Sequence, residues 1–165
     1  MKRITMSFFI IFFVVSYYSQ TIKINSEKNI IVDTVVTLDT IKANIIYDAI
    51  KKWAQTNFNN VKEVTVLDSP SEIQFRFIKK LSNGMGDVPY KITLNIKIKD
   101  AKMRLEYSNM SWAEGGTSFE SVYIKNDGTL RDNKPSKNTF KACEASLKEN
   151  VIGISKNIYS KPNDW

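Results

Sequence analysis

The chain has 165 residues, 24 Lys and Arg against 17 Asp and Glu for a net charge of +7, no histidine and one cysteine. Without histidine there is no Ser–His or Cys–His nucleophile pair and no His-containing zinc site. Since Cys143 is the single cysteine, an internal disulfide and a thiolate metal site are also excluded. The chemistry that remains is that of carboxylates, Ser–Lys pairs and oxygen-ligand metal sites.

The N-terminus has the pattern of a secretory signal peptide over residues 1–19. Lys2 and Arg3 precede an apolar run at residues 6–15, and small residues follow the run. The run is about half the roughly 20 apolar residues that a membrane span needs. We therefore expect cleavage after Ser19 and a periplasmic or secreted product with no transmembrane span.

The next predicted elements are a strand and a helix. Alternating apolar residues at 30–38 are typical of a strand. At residues 41–54 the apolar residues recur at spacings of three and four, which predicts an amphipathic helix with Asp39 or Thr40 as its N-cap. Two asparagines predict that this helix ends near Phe58.

Strands are predicted through the middle of the chain. Short strands at residues 61–67 and 72–78 are joined by a turn, and a glycine-containing loop follows at 83–87. The clearest alternation is at residues 90–99, where one face is apolar and the other polar. A two-residue turn then leads to a partner strand at residues 103–112, which predicts a long hairpin.

The apolar faces of this hairpin fix its register. Pairing Lys99 with Lys102 aligns the apolar residues of the two strands without conflict. The same register places Lys97 directly opposite Arg104 on the polar face. Such a like-charge pair is destabilising by a few tenths of a kcal/mol unless it is compensated, and Glu106 is the candidate partner.

A short ribbon and a long helix are predicted in the last third of the chain. The ribbon pairs residues 119–124 with 129–131 through a turn at 126–128. After Pro135, apolar residues at helical spacing predict a closing helix, on whose apolar face Cys143 is a small hydrophobic residue.

The order of elements predicts an α+β fold with two helices packed on one face of a single antiparallel sheet. Residues 20–29 are predicted to be a flexible leader, residues 30–159 a single domain, and residues 160–165 a C-terminal tail. The five aspartates at predicted element ends and turns are assigned to capping rather than to a paired-carboxylate site. They are Asp33, Asp39, Asp68, Asp87 and Asp100.

The chain resembles a bacterial family catalogued as a domain of unknown function with a TBP-like fold. The resemblance is carried by Val35-Val36-Thr37-Leu38, the helix Asp48-Ala49-Ile50-Lys51-Lys52-Trp53, the segment Val64-Thr65-Val66-Leu67-Asp68 and the hairpin strand at 90–99. It covers residues 30–158. It implies a TBP-like sheet with helices behind it and an envelope or secreted location, and it supplies no active-site residues.

Two loops contain fragments of ligand-binding motifs. Gly84-Met85-Gly86 lacks the third glycine and the Lys-Ser or Lys-Thr pair of a phosphate loop. Asn126-Asp127-Gly128 lacks the flanking oxygen ligands and the closing glutamate of a calcium loop. Both are predicted to be turns, and we expect no catalytic residue, metal or cofactor.

The polar face of the central strands is the one candidate functional surface. It collects Gln74, Arg76, Lys91, Thr93, Asn95, Lys97, Lys99, Arg104, Glu106, Met110 and Trp112. One interpretation is an ordinary solvated sheet face. The other is a site for an anion or acidic partner, in which Arg76, Lys91, Lys97 and Arg104 supply the charge and Trp112 an amphipathic contact.

These features favour a non-enzymatic binding or accessory module of the cell envelope, with an envelope protein or an acidic ligand as its partner. A structural subunit of an envelope assembly is the alternative. A hydrolase that uses Ser, Lys and carboxylates is a third reading, which would need a cleft with convergent polar groups. Nucleic acid is not an expected partner, because the face lacks the apolar wedges and dense positive charge that such binding uses.

Overall fold

The computed structural model describes residues 19–159. The predicted signal peptide, apart from Ser19, and the predicted tail at 160–165 lie outside these residues. The elements are β1 (Ser19–Ile24), β2 (Ile30–Thr37), α1 (Ala43–Asn57), α2 (Val61–Val64), β3 (Thr65–Ser69), β4 (Glu72–Ser82), β5 (Asp87–Lys99), β6 (Lys102–Trp112), α3 (Phe119–Tyr123) and α4 (Lys134–Tyr159).

All strands of this part of the chain form one antiparallel sheet in the order β1-β2-β6-β5-β4-β3. Helices α1 and α4 contact each other and pack on the sheet. The predicted α+β fold is therefore confirmed. The residues buried between these layers include six that the apolar patterns place in the core, namely Ile50, Trp53, Phe75, Ile96, Leu105 and Leu147.

The segment predicted as a flexible leader contains an edge strand instead. Strand β1 pairs with β2 from Ser19 opposite Val35 to Ile24 opposite Ile30. The side chain of Asn25 closes the connecting turn by accepting hydrogen bonds from two backbone amides. With only two apolar residues, β1 has too short an alternation to predict a strand.

Helix α1 begins at Ala43, later than predicted, and a residue far along the chain caps its N-terminus. Thr40 has a φ of 65°, and the N-cap residue Lys42 makes no side-chain capping bond. The Ala43 amide donates instead to Asp100 Oδ1 at 2.9 Å, from the β5–β6 turn. Asp100 therefore caps a helix, as predicted for the five aspartates at element ends and turns. Asp39, a predicted cap of α1, does not cap it.

Two predicted strands are short helices. Residues 61–64 form α2, where the Thr65 hydroxyl donates to the Val61 carbonyl at 2.7 Å, and the strand begins only at Thr65. Residues 119–123 form α3, and the predicted ribbon is reduced to one bridge, between Ile124 and Leu130. The helical form buries both Phe119 and Tyr123 with their ring centroids 4.4 Å apart, whereas a strand would place the two residues about 13 Å apart.

Hydroxyl groups tie α4 to the apolar side of the sheet. The Tyr107 hydroxyl lies 2.7 Å from Ser146 Oγ and accepts from Asn150 Nδ2 at 2.9 Å. The Tyr90 hydroxyl is linked to α4 through Tyr123 of α3, whose hydroxyl lies 2.9 Å from that of Tyr90 and 3.1 Å from Thr139 Oγ1. Burial raises the pKa of Tyr107 well above its ordinary value, so it stays a neutral hydrogen-bonding group.

The open face of the sheet

The sheet face opposite the helices, called the open face here, is fixed by the β5–β6 register. Lys99 pairs with Lys102, and Lys97 pairs with Arg104, as the sequence predicts. The side chains that alternate with these residues are buried against α1 and α4. The open face therefore exists, and it carries most of the polar residues assigned to it.

A bulge in β6 removes two residues from this face. Thr93 pairs with Ser108 but Lys91 pairs with Ser111, so β6 has one extra residue between these pairs. Asn109 lies there with a φ of 48°, a conformation that asparagine adopts more readily than most residues. Each β6 residue after the bulge therefore lies on the side of the sheet opposite to the one that simple alternation from Leu105 would give.

Met110 and Trp112 consequently lie on the helix side, which corrects the prediction. Met110 is 1% exposed, and Trp112 pairs with the fully buried Tyr90. Because a single extra residue reverses the alternation of a strand, pattern counting from Leu105 gives the wrong face. Asn109 is the one sequence signal that could have indicated the bulge.

Arg104 is held in an ion-pair cluster that also contains Thr21, Lys23, Asp33 and Glu106, called the Asp33 cluster here. Arg104 Nη2 lies 2.5 Å from Asp33 Oδ2 and 3.0 Å from Glu106 Oε2. Lys23 Nζ lies 3.1 Å from Asp33 Oδ2, and the Thr21 hydroxyl donates to Asp33 Oδ1. The predicted pairing with Glu106 is confirmed. With two cations and two carboxylates, the cluster is neutral, so Arg104 is not a free positive charge.

Asp33 lies inside strand β2 and not at an element end, which corrects its assignment as a cap. Burial of this carboxylate raises its pKa, but the hydrogen bonds from Thr21 and Lys23 and the charge of Arg104 outweigh burial. The net effect lowers the pKa below its ordinary value. Asp33 is therefore ionised at neutral pH and orders the β1–β2–β6 side of the open face.

Three lysines at the β5–β6 turn, called the hairpin lysines here, are Lys97, Lys99 and Lys102. All three are exposed, and none has an ion pair or side-chain hydrogen bond within residues 19–159. The nearby carboxylate of Asp100 forms its contacts elsewhere, since it accepts from the Ala43 amide and lies 3.4 Å from Lys42 Nζ. Lys102 was not among the residues that the sequence assigned to the face.

The other predicted cations lie elsewhere on the open face. Lys91 is six residues from Lys97 along β5, which is about 20 Å at the rise of a strand. Arg76 pairs with Thr93, so its ladder position is four residues, about 13 Å, from that of Lys97. Both side chains are exposed. The five predicted site residues therefore do not converge on one site.

Between Lys91 and Lys97, the open-face residues of β5 are uncharged and buried. Thr93 is 1% exposed and Asn95 is 9% exposed, although both point away from the helices. Asn95 Oδ1 and Arg104 Nε are buried and have no hydrogen-bond partner in the described part of the chain. On the open face, β5 consequently carries no charged side chain between Lys91 and Lys97.

The other motifs have structural roles. Asp127 Oδ1 accepts from both the amide and the hydroxyl of Thr129, so this carboxylate closes the predicted turn. Cys143 is fully buried, and burial raises the pKa of its thiol to about 12.

Residues 19–159 contain no group of three or more side chains arranged to hold a metal ion. Within them, no helix has the length and hydropathy to cross a membrane.

Residues 33–112 match the model of a domain of unknown function (DUF4468) with a TBP-like fold. A TBP-like protein from Parabacteroides distasonis is similar in structure, with a TM-score of 0.59, 14% identity, and coverage of 77% of this chain and 93% of that one. A DUF4468 family protein from Bacteroides ovatus has a TM-score of 0.54, 10% identity, and coverage of 83% and 90%. None of the curated proteins matches this chain.

Proposed function

Since residues 33–112 belong to the DUF4468 family with a TBP-like fold, whose function is unknown, we propose that this protein is a binding module whose open face takes an acidic partner. The observation that carries the proposal is the charge of the hairpin lysines, none of which forms an ion pair within residues 19–159, although Glu72 lies opposite Lys97 in the ladder. Exposed cations without a partner attract an acidic surface at long range and favour its association.

The carboxylates of the open face support a non-catalytic role. Acid–base hydrolysis needs a pair of carboxylates free to exchange protons around a substrate. Asp33 and Glu106 are instead both bound to Arg104. Glu72 lies opposite Lys97 at the next strand, with no second carboxylate paired beside it in the ladder.

We further propose that the protein is exported, on the basis of its N-terminal sequence. The test is N-terminal sequencing of the tagged full-length chain from periplasm and medium. A mature N-terminus near Gln20 is expected. An intact Met1 on a membrane-bound product would contradict export.

Binding is tested with the purified chain and a fluorescein-labelled poly-glutamate, followed by fluorescence anisotropy at low and high salt. We expect saturable binding that weakens with salt, because screening acts on exposed charges. An open-face variant with Arg76, Lys91, Lys97, Lys99 and Lys102 all changed to glutamine should lose this binding. Unchanged binding by that variant, with its fold intact by circular dichroism, would refute the proposal.

A further inference from the structure

The hairpin lysines form a fixed arrangement at one end of the open face. Lys97 and Lys99 are alternate residues of β5 and so lie about 7 Å apart on the same side. Lys102 is directly opposite Lys99, at a separation of about 5 Å between the backbones. The three side chains therefore extend on the same side from neighbouring positions at the turn end of the β5–β6 hairpin.

The turn that carries them is held by the segment before α1. The Leu38 amide donates to the Ala101 carbonyl at 2.8 Å, and the Ala101 amide donates to the Ile41 carbonyl at 2.7 Å. The bond from the Ala43 amide to Asp100 adds a third link. A backbone fixed in this way reduces the entropy that is lost when a partner binds.

This charge arrangement is costly unless a partner compensates it. Lys99 and Lys102 are like charges at directly opposed positions, an arrangement that destabilises a sheet. Glu72 is the one acidic residue opposite any of the three in the sheet ladder, and it faces Lys97. Asp100 is adjacent in sequence but is bound to α1. Among the described residues, two of the three lysines thus lack an acidic neighbour in the ladder.

We propose that the hairpin lysines bind an extended acidic segment of a partner protein, in which Asp or Glu occupies alternate positions. This inference rests on the proposed function and narrows it to one end of the face. In an extended chain, alternate carboxylates repeat at about 7 Å on one side, which equals the spacing of Lys97 and Lys99. Lys102 then contacts the same carboxylate as Lys99.

A protein segment fits this end better than a membrane or a nucleic acid does. The turn between the lysines consists of Asp100 and Ala101, so it has no large apolar side chain to enter a lipid interface. Single-stranded nucleic acid is held largely by stacking on aromatic side chains. Trp112, the aromatic residue that the sequence pattern places on this face, lies on the other side of the sheet.

The experiment compares two labelled nine-residue peptides of equal composition by fluorescence anisotropy. One alternates Glu and Thr, and the other has its Glu residues in one block. We expect tighter binding of the alternating peptide, and about a tenfold loss of affinity when Lys97, Lys99 and Lys102 are all changed to glutamine. The matched control changes the exposed helix lysines Lys52, Lys141 and Lys148 to glutamine and should retain affinity.

Failure of this inference is distinguishable from failure of the proposed function. Retained affinity in the hairpin triple variant, with loss in an Arg76→Gln/Lys91→Gln variant, would overturn the hairpin site and leave the open face as the binding surface. Equal loss in the helix-lysine control would overturn both, since only net charge would matter. Stronger binding to phosphatidylserine vesicles or single-stranded DNA at equal charge concentration would overturn the choice of a protein partner.

Discussion

The indole ring of Trp53 on α1 packs directly on Gly153 of α4. A β-carbon built at residue 153 would lie 2.8 Å from both Cδ1 and Nε1 of the indole. Trp53 is also packed edge-on against Phe58 and Phe75, with ring centroids 5.6 and 6.0 Å away. The ring therefore has little freedom to move, and a glycine in the C-terminal half of α4 is what permits the helices to approach.

Gly153→Ala should destabilise the protein even though alanine is the better helix former. Alanine gains about 1 kcal/mol in helix propensity, whereas overpacking against a fixed ring costs about 1–3 kcal/mol. We expect a net loss that is visible as a lower urea midpoint. Gly86→Ala is the control, because its added carbon would have no neighbour within 4 Å. A midpoint for Gly153→Ala equal to or above that of the parent would show that α1 and α4 do not meet in this way.

The β6 bulge is tested by placing a charge on each side of it. Met110→Lys should reduce the free energy of unfolding by about 3 kcal/mol or more, because it buries an unpaired ammonium group. Ser108→Lys, before the bulge on the open face, should change it by less than about 1 kcal/mol. Thermal unfolding of both variants gives the answer. Equal tolerance at the two positions would mean that the alternation continues without a bulge.

Asp33 should make stability depend on acid pH. Its pKa is lowered in the folded state, so its contribution is complete above the unfolded value of about 4 and is lost as the pH falls through the folded value. Asp33→Asn removes this contribution, and its melting temperature should lie below that of the parent at pH 7. The gap should narrow between pH 4 and pH 2. A gap that stays constant over this range would exclude ionised Asp33 as the source.

Lys97→Glu should not stabilise the fold, contrary to what the register alone suggests. Its like-charge neighbour Arg104 is already compensated by Asp33 and Glu106, and a glutamate at 97 would face Glu72 on β4. The small gain from removing the remaining repulsion by Arg104 is offset by the new repulsion from Glu72, so we expect a change within about 0.5 kcal/mol. A melting temperature raised by several degrees would show that the Lys97–Arg104 repulsion is uncompensated. Lys52→Glu is the control for net charge.

Strong alternation and strong helical periodicity made the central part of the fold predictable. Residues 90–99 of β5 alternate over ten positions, so even their register with β6 follows from the sequence as far as Ser108, where the bulge begins. The short elements did not follow, because a few residues such as those of α2 satisfy either pattern and only their tertiary contacts decide.

The candidate site was only partly predictable, for reasons specific to its residues. The partner of Arg104 is Asp33, which lies 71 positions earlier in the chain and is brought beside it only by the pairing of β2 with β6. The side on which Trp112 lies depends on a single extra residue at Asn109. The pairing of Arg104 with Asp33 has no local signature in the sequence, and the bulge has only Asn109.

The open face is tested as a binding surface by titrating the ¹⁵N-labelled protein with the alternating Glu–Thr peptide and following the amide chemical shifts. We expect chemical-shift changes concentrated at Lys97, Lys99 and Lys102 and at the neighbouring β6 amides, and their loss when the salt concentration is raised. Amides on the exposed side of α1 and α4 should stay unchanged. Shifts confined to those helices, or none at saturating peptide, would contradict the assignment of the open face as the binding surface.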